Sequence, residues 1–129
     1  DIDGNLLTEL KGSGVKVDEN EIIAIAKDKG GRIVWLEQGV AGNGGSGLAH
    51  IIEQHGRQLI QHGVIGKDIP ALVVNAVTAG KIVGHQGTGV GRPIYEFSYG
   101  GRIHRIAVTV GGNGYIVGAN HCGFTKENK

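Results

Sequence analysis

The sequence predicts an α+β domain in which N-terminal helices pack on a twisted antiparallel sheet. Three observations carry that expectation. Residues 94–121, IYEFSYGGRIHRIAVTVGGNGYIVGANH, read as three short strands joined by Tyr-Gly-Gly and Gly-Gly-Asn-Gly, both strong hairpin signals. Upstream, two stretches within 47–80 carry their apolar residues at helical spacing. Helices followed by a run of antiparallel strands give α+β rather than an alternating parallel fold.

Taken in order, residues 1–20 are polar and rich in Gly and Asp, with Gly-Ser-Gly at 12–14. Segment 1–30 is therefore expected to be a lead-in or linker, with 31–129 as the single folded domain. EIIAIAKDK (21–29) suits either a short helix or a strand, whereas RIVWLE (32–37) alternates and is β-branched, as a strand should be. GVAGNGGSG (39–47) forms a glycine-rich loop with Ser46 as helix N-cap. The helix that follows, GLAHIIEQHGRQLIQHGV (47–64), carries Leu48, Ile51, Ile52 and Leu59 at helical spacing and stops at Gly63. IPALVVNAVTAG (69–80) opens with Pro70 and ends at Gly80. Strands are expected near 81–84, 93–99, 102–110 and 114–119, and the tail GFTKENK should fray. Within 102–110, Ile106, Val108 and Val110 point to one face and Arg105, Ala107 and Thr109 to the other.

Composition removes several classes of function. The chain has 129 residues, 40% apolar and 19% charged, with a net charge of +1. No run approaches the roughly 18 to 20 apolar residues of a membrane span. Cys122 is the lone cysteine, so no internal disulfide forms. The chain contains no Met, which suggests a piece processed from a longer gene product or a lost initiator. Six histidines against two Phe and one Trp is a skew toward residues that titrate near neutrality.

The polar residues point to phosphate chemistry. On the sheet, Arg105 and Thr109 share a face, and each is a good partner for a phosphate oxygen. On the first helix, His55 falls within the apolar stripe with Leu48, Ile52 and Leu59, His62 lies near it, and His50 lies toward the opposite, polar side. His50 and His55 are five residues apart with no Cys nearby, which does not suit a zinc pair, so no metal is expected. The loop GHQGTGVGR (84–92) offers His85, Thr88 and Arg92 to a nucleic-acid backbone. Arg102, His104 and Arg105 form a basic cluster on the same sheet as Tyr95, Tyr99 and Tyr115, a combination that suits single-stranded RNA. Glu37, ending the first strand, is a further acid/base candidate. The glycine loop GNGGSG (42–47) lacks a Gly-Lys-Ser/Thr ending and reads as a connector rather than a phosphate loop.

Two blocks, LEQGVAGNGGSGLAHIIEQHG (36–56) and GRPIYEFSYGGRIHRIAVTVGGNGYIVGAN (91–120), resemble C-terminal toxin domains of bacterial polymorphic toxins, including the tips of contact-dependent growth inhibition proteins. The likeness is to nuclease toxins of the barnase/EndoU/colicin/RelE fold, over roughly residues 32–121. It rests on a Gly-Leu-x-His-Ile helix start, a second His five residues on, and the closing β-meander with its Arg and Thr. The resemblance implies an endoribonuclease that needs no metal or cofactor, acts on tRNA and is neutralised by a cognate immunity protein. It also implies export at the C-terminus of a large surface protein and delivery to the cytoplasm of a target bacterium. His50, His55, Arg105 and Thr109 would be catalytic, with Glu37, His85 and Tyr115 contacting substrate. The His/His/Lys set of the EndoU branch is not evident: no Lys lies on the Arg105 strand, so Arg105 would serve in its place.

The reaction expected is transesterification. His55 or His50 removes the ribose 2′-hydroxyl proton, the alkoxide attacks phosphorus, and a 2′,3′-cyclic phosphate results. Arg105 and Thr109 stabilise the transition state, and a second histidine, His85 among the candidates, protonates the leaving 5′-oxygen. The modest net charge leaves room for a host protein that presents the RNA. Two alternatives stand beside this reading: a non-catalytic RNA- or protein-binding module, and a metal-dependent DNase toxin.

Overall fold

Period-2 alternation in the C-terminal half and helical spacing in the middle produce the elements expected of them. The computed structural model describes residues 2–89 and 91–125. The chain runs α1 (Gly4–Gly12), β1 (Ile22–Lys27), β2 (Ile33–Glu37), α2 (Gly47–Gln61), a 3-10 turn (Gly66–Asp68), α3 (Ile69–Ala79), β3 (Lys81–Gln86), β4 (Arg92–Tyr99), β5 (Arg102–Val110) and β6 (Ile116–Phe124). Among the described residues this is an α+β fold, with helices packed on antiparallel sheets. β3, β4, β5 and β6 form a four-stranded meander in that order, and β1 and β2 form a separate pair. The two sheets meet where Trp35 bridges Tyr115, with the Trp35 amide donating to the Gly114 carbonyl.

Local chemistry explains the joints. Gly100 and Gly101 both adopt positive φ, 60° and 81°, as a two-residue hairpin between right-twisted strands requires. The glycine loop before α2 folds back on itself through a Val40↔Ser46 bridge. At Gly39 (φ 67°) a Cβ would lie 1.9 Å from the Ser46 carbonyl oxygen, so no other residue fits that crossing. Ser46 occupies the N-cap position of α2 as expected. Its hydroxyl, however, bonds the Tyr115 hydroxyl at 2.8 Å instead of capping the helix.

The main core lies between the meander, α2 and α3. Ile106 and Val108 of β5, with Tyr95, Ile116 and Ala119, face Ile51 and Leu59 of α2 and Leu72, Val73 and Val77 of α3. α3 is apolar nearly all round because nearly all of it is buried. On α2 the buried stripe runs through Leu48, Ile51 and Leu59, while Ile52, expected in that stripe, is 48% exposed. Residues 4–12, expected within a lead-in, form α1, whose N-cap Asp3 accepts from the Asn5 and Leu6 amides. Leu10 is buried in a second small core with Ile22, Ile33 and Trp35, so this segment packs instead of hanging loose. Of the two readings open for 21–29, a strand forms: β1 pairs with β2 over Ile22–Lys27. β6 runs five residues past its expected end at 119, to Phe124. The tail from residue 126, expected to fray, lies outside the described residues. Among the described residues no helix is long and apolar enough to cross a membrane.

Candidate functional site

Strand register decides which polar residues meet. Ile94 pairs with Ala107 and Ala107 with Asn120, Thr109 pairs with Gly118, and Glu96 pairs with Arg105. With side chains alternating along each strand, Arg92, Ile94 and Glu96 share the outer face of the sheet with Arg105, Ala107, Thr109, Gly118 and Asn120. The opposite face is the core. α2 flanks β6, and the Gln58 side-chain oxygen accepts from the His121 amide at 3.0 Å. The N-terminal part of that helix therefore stands at the edge of the outer face.

At that edge a gap with room for about a methyl group lies over buried Gly118. A Cβ placed on Gly118 would lie 3.8 Å from His50 Cδ2 and 3.9 Å from Arg92 Nη2, so an imidazole and a guanidinium flank the same point. Cδ2 is bonded to Nε2, so the Nε2 side of His50 borders the gap. Its Nδ1 is sealed from solvent with no hydrogen-bond partner. Thr109 is the cross-strand neighbour of Gly118, roughly 5 Å away by strand geometry. Asn120 Oδ1 accepts from Arg92 Nη1 at 2.7 Å. His55 joins this group electrostatically. Its pKa is held below the ordinary value, first by burial, then by Arg92, then by His50.

The expected site residues thus divide. His50 and Thr109 meet at the Gly118 gap, with His55 coupled to Arg92 and His50 through charge, and His50 sits against the sheet, not on the polar side of its helix. Arg105 lies on the same face, roughly 13 Å along β5 from Thr109. Its Nε donates to Glu96 Oε2 at 3.4 Å. Glu96 also accepts from the Thr125 hydroxyl; that bond, then Arg105, holds its pKa down. The guanidinium beside the histidines is Arg92, which begins β4 instead of riding on a loop. His85 pairs with Pro93 on edge strand β3, on the face that carries Tyr95, away from Arg92. Glu37 and Tyr115 line a separate cavity of about 300 Å³ with Lys16, Asp18 and Asn113. There Glu37 accepts from Trp35 Nε1 at 2.9 Å.

The anticipated aromatic-basic platform is split between faces. Tyr95 and His104 are buried on the core side, at 6% and 2% exposure. Tyr99 donates its hydroxyl to Asp68 at 2.6 Å. His104 belongs to an interior imidazole group: its Nδ1 lies 2.8 Å from His121 Nε2, and His62 stacks on His121 with centroids 4.1 Å apart. Among the described residues no three His, Cys, Asp or Glu side chains are grouped to hold a metal ion.

No family model matches this chain, and none of the curated proteins matches it significantly. Two residues of the site carried little signal in the sequence. Arg92 was expected only as a loop contact to a nucleic-acid backbone, and Asn120 lies just past the expected strand end at 119.

Proposed function

We propose that this chain is an endoribonuclease that cleaves by attack of the ribose 2′-hydroxyl on the adjacent phosphorus. One observation carries the reading: the His50 imidazole and the Arg92 guanidinium flank Gly118, His55 feels the charge of both, and among the described residues Arg92 has no carboxylate partner. A cation without a counter-ion beside it suits an anionic ligand, and an imidazole next to it suits proton transfer at that anion.

His55 takes the 2′-hydroxyl proton, since its lowered pKa keeps it neutral at pH 7. Arg92 stabilises the charge that builds on the phosphorane oxygens, and the Thr109 hydroxyl donates to the same oxygens. His50 delivers a proton to the departing 5′-oxygen through Nε2. The nucleophile comes from the substrate, so RNA is cut and DNA is spared. The likeness of 36–56 and 91–120 to polymorphic-toxin nucleases supports tRNA as the substrate. It also supports an immunity protein as the partner and the cytoplasm of a competing bacterium as the place of action.

The test is incubation of the purified domain with total bacterial RNA in EDTA. Discrete fragments ending in 2′,3′-cyclic phosphate are expected, and both His55→Ala and Arg92→Ala should remove them. Intact RNA at high enzyme concentration would leave a binding module as the better account.

A further inference from the structure

The sheet carries two guanidinium groups on one face and treats them differently. Arg105 has a carboxylate, Glu96, 3.4 Å away. Arg92 has an amide, Asn120, at 2.7 Å. Because arginine offers only donors, the Asn120 atom facing it is the oxygen, and the side-chain orientation follows. Asn120 is 7% exposed, and its Nδ2 has only long contacts, to the His121 carbonyl at 3.5 Å and Cys122 Sγ at 3.7 Å. The amide therefore fixes one arm of the Arg92 fork and leaves the other, Nη2, bordering the Gly118 gap. It takes up one N–H and none of the charge.

An aspartate in the same place has almost the same shape and accepts the same hydrogen bond. It would also cancel the positive charge. We propose that Asn120 is a positioning residue whose neutrality keeps Arg92 oriented yet uncompensated, so that a phosphodiester supplies the missing negative charge. This rests on the nuclease reading for the identity of the anion, while the clamp itself is a property of the residues. The same arrangement reaches His55, whose proton affinity is lowered first by burial and then by a positive Arg92, and would be raised by a carboxylate nearby.

The experiment compares wild type with Asn120→Asp and Asn120→Ala. Urea unfolding reports folding. Titration with inorganic phosphate, followed by the His50 and His55 imidazole signals in NMR, reports the anion site without reference to catalysis. RNA cleavage across pH reports KM, kcat and the base's pKa. Asn120→Asp is expected to fold as well as wild type and bind phosphate at least tenfold more weakly. Its KM should rise, and its His55 titration should move to higher pH. Asn120→Ala should weaken phosphate binding by a similar factor through loss of orientation, with a smaller move of His55. Should Asn120→Asp fail to fold, Asn120→Ala decides, because it buries no charge.

Wild-type phosphate affinity in a folded Asp or Ala variant overturns the clamp. So does a wild-type protein that binds no phosphate at the histidines. If phosphate binding follows the expected order but RNA stays intact, the clamp stands and the nuclease reading falls. If RNA is cut while all three proteins bind phosphate alike, only the clamp falls.

Discussion

Acidification from pH 7.5 to 5 should cost this fold about 2 kcal/mol through His121 alone. His121 is 3% exposed, and its pKa is lowered to about 4, first by burial, then by His62 and His104. Hydrogen bonding shows why a proton is unwelcome. The Gly123 amide donates to His121 Nδ1 at 2.8 Å, so that nitrogen must be an acceptor. The ring is then the neutral Nε2–H tautomer and donates to His104 Nδ1. His104 in turn donates its Nε2–H to the Tyr99 carbonyl at 3.1 Å. A proton on His121 would set two N–H groups against each other at Gly123. A proton on His104 would do the same at His121.

The sign follows from the direction of the shift. The unfolded chain binds the proton near pH 6.5, before the folded one does, so the contribution is intact above 6.5 and is lost as pH falls toward about 4. At about 1.36 kcal/mol per pH unit the whole window is worth about 3 kcal/mol, and the part above pH 5 about 2. Against a typical total of about 5–15 kcal/mol this is large. Urea unfolding at pH 7.5, 6 and 5 reads it directly. His121→Phe should be less stable at pH 7.5 but show a flatter dependence below 6.5. Imidazole NMR gives the refutation: a folded-state His121 titrating near 6.5, or carrying its proton on Nδ1, would end this account.

Four further outcomes are expected. Gly118→Ala places its methyl at ordinary contact distance from His50 and Arg92, so it should fold within about 1 kcal/mol of wild type. It should still lose at least about tenfold in RNA cleavage because the gap is filled, and full activity would move the site elsewhere. Arg92→Ala should cost about 100-fold or more in cleavage and Arg105→Ala about tenfold or less; kinetics showing the reverse order would restore Arg105 as the transition-state cation. Gly114→Ala combines φ of 99° with a Cβ 2.1 Å from the Ile33 carbonyl oxygen, so it should destabilise by about 3 kcal/mol or more in urea, unless the Trp35 bridge is dispensable. Leu10→Ala should cost about 2–4 kcal/mol by the same measurement, and a change below about 0.5 would make α1 a loose appendage after all.

The two helices, the meander and its inward face were legible because each rests on a local signal. Pro70, Gly63 and Gly80 punctuate the helices, Gly100-Gly101 sets the hairpin, and Ile106 and Val108 alternate with Arg105 and Ala107. α1 was not legible, because nine residues rich in Gly and polar groups carry weak helical periodicity. Its helix is held by the Asp3 cap and by Leu10 packing near Trp35, which is distant in sequence.

Likewise, the alternation of β5 placed Arg105 and Thr109 on one face, yet could not say which guanidinium meets the histidines. That depends on the Thr109↔Gly118 register, on β4 starting at Arg92, and on α2 lying along β6. The sequence alone determined the kinds of chemistry this chain can carry: imidazole, guanidinium and hydroxyl on a small α+β scaffold. Only the tertiary structure decided that Arg92, held by Asn120, stands over Gly118 beside His50, while Arg105 is occupied by Glu96. The reason is physical: periodicity sets which way a side chain points, whereas contacts between residues far apart in the chain exist only after the strands have chosen their register.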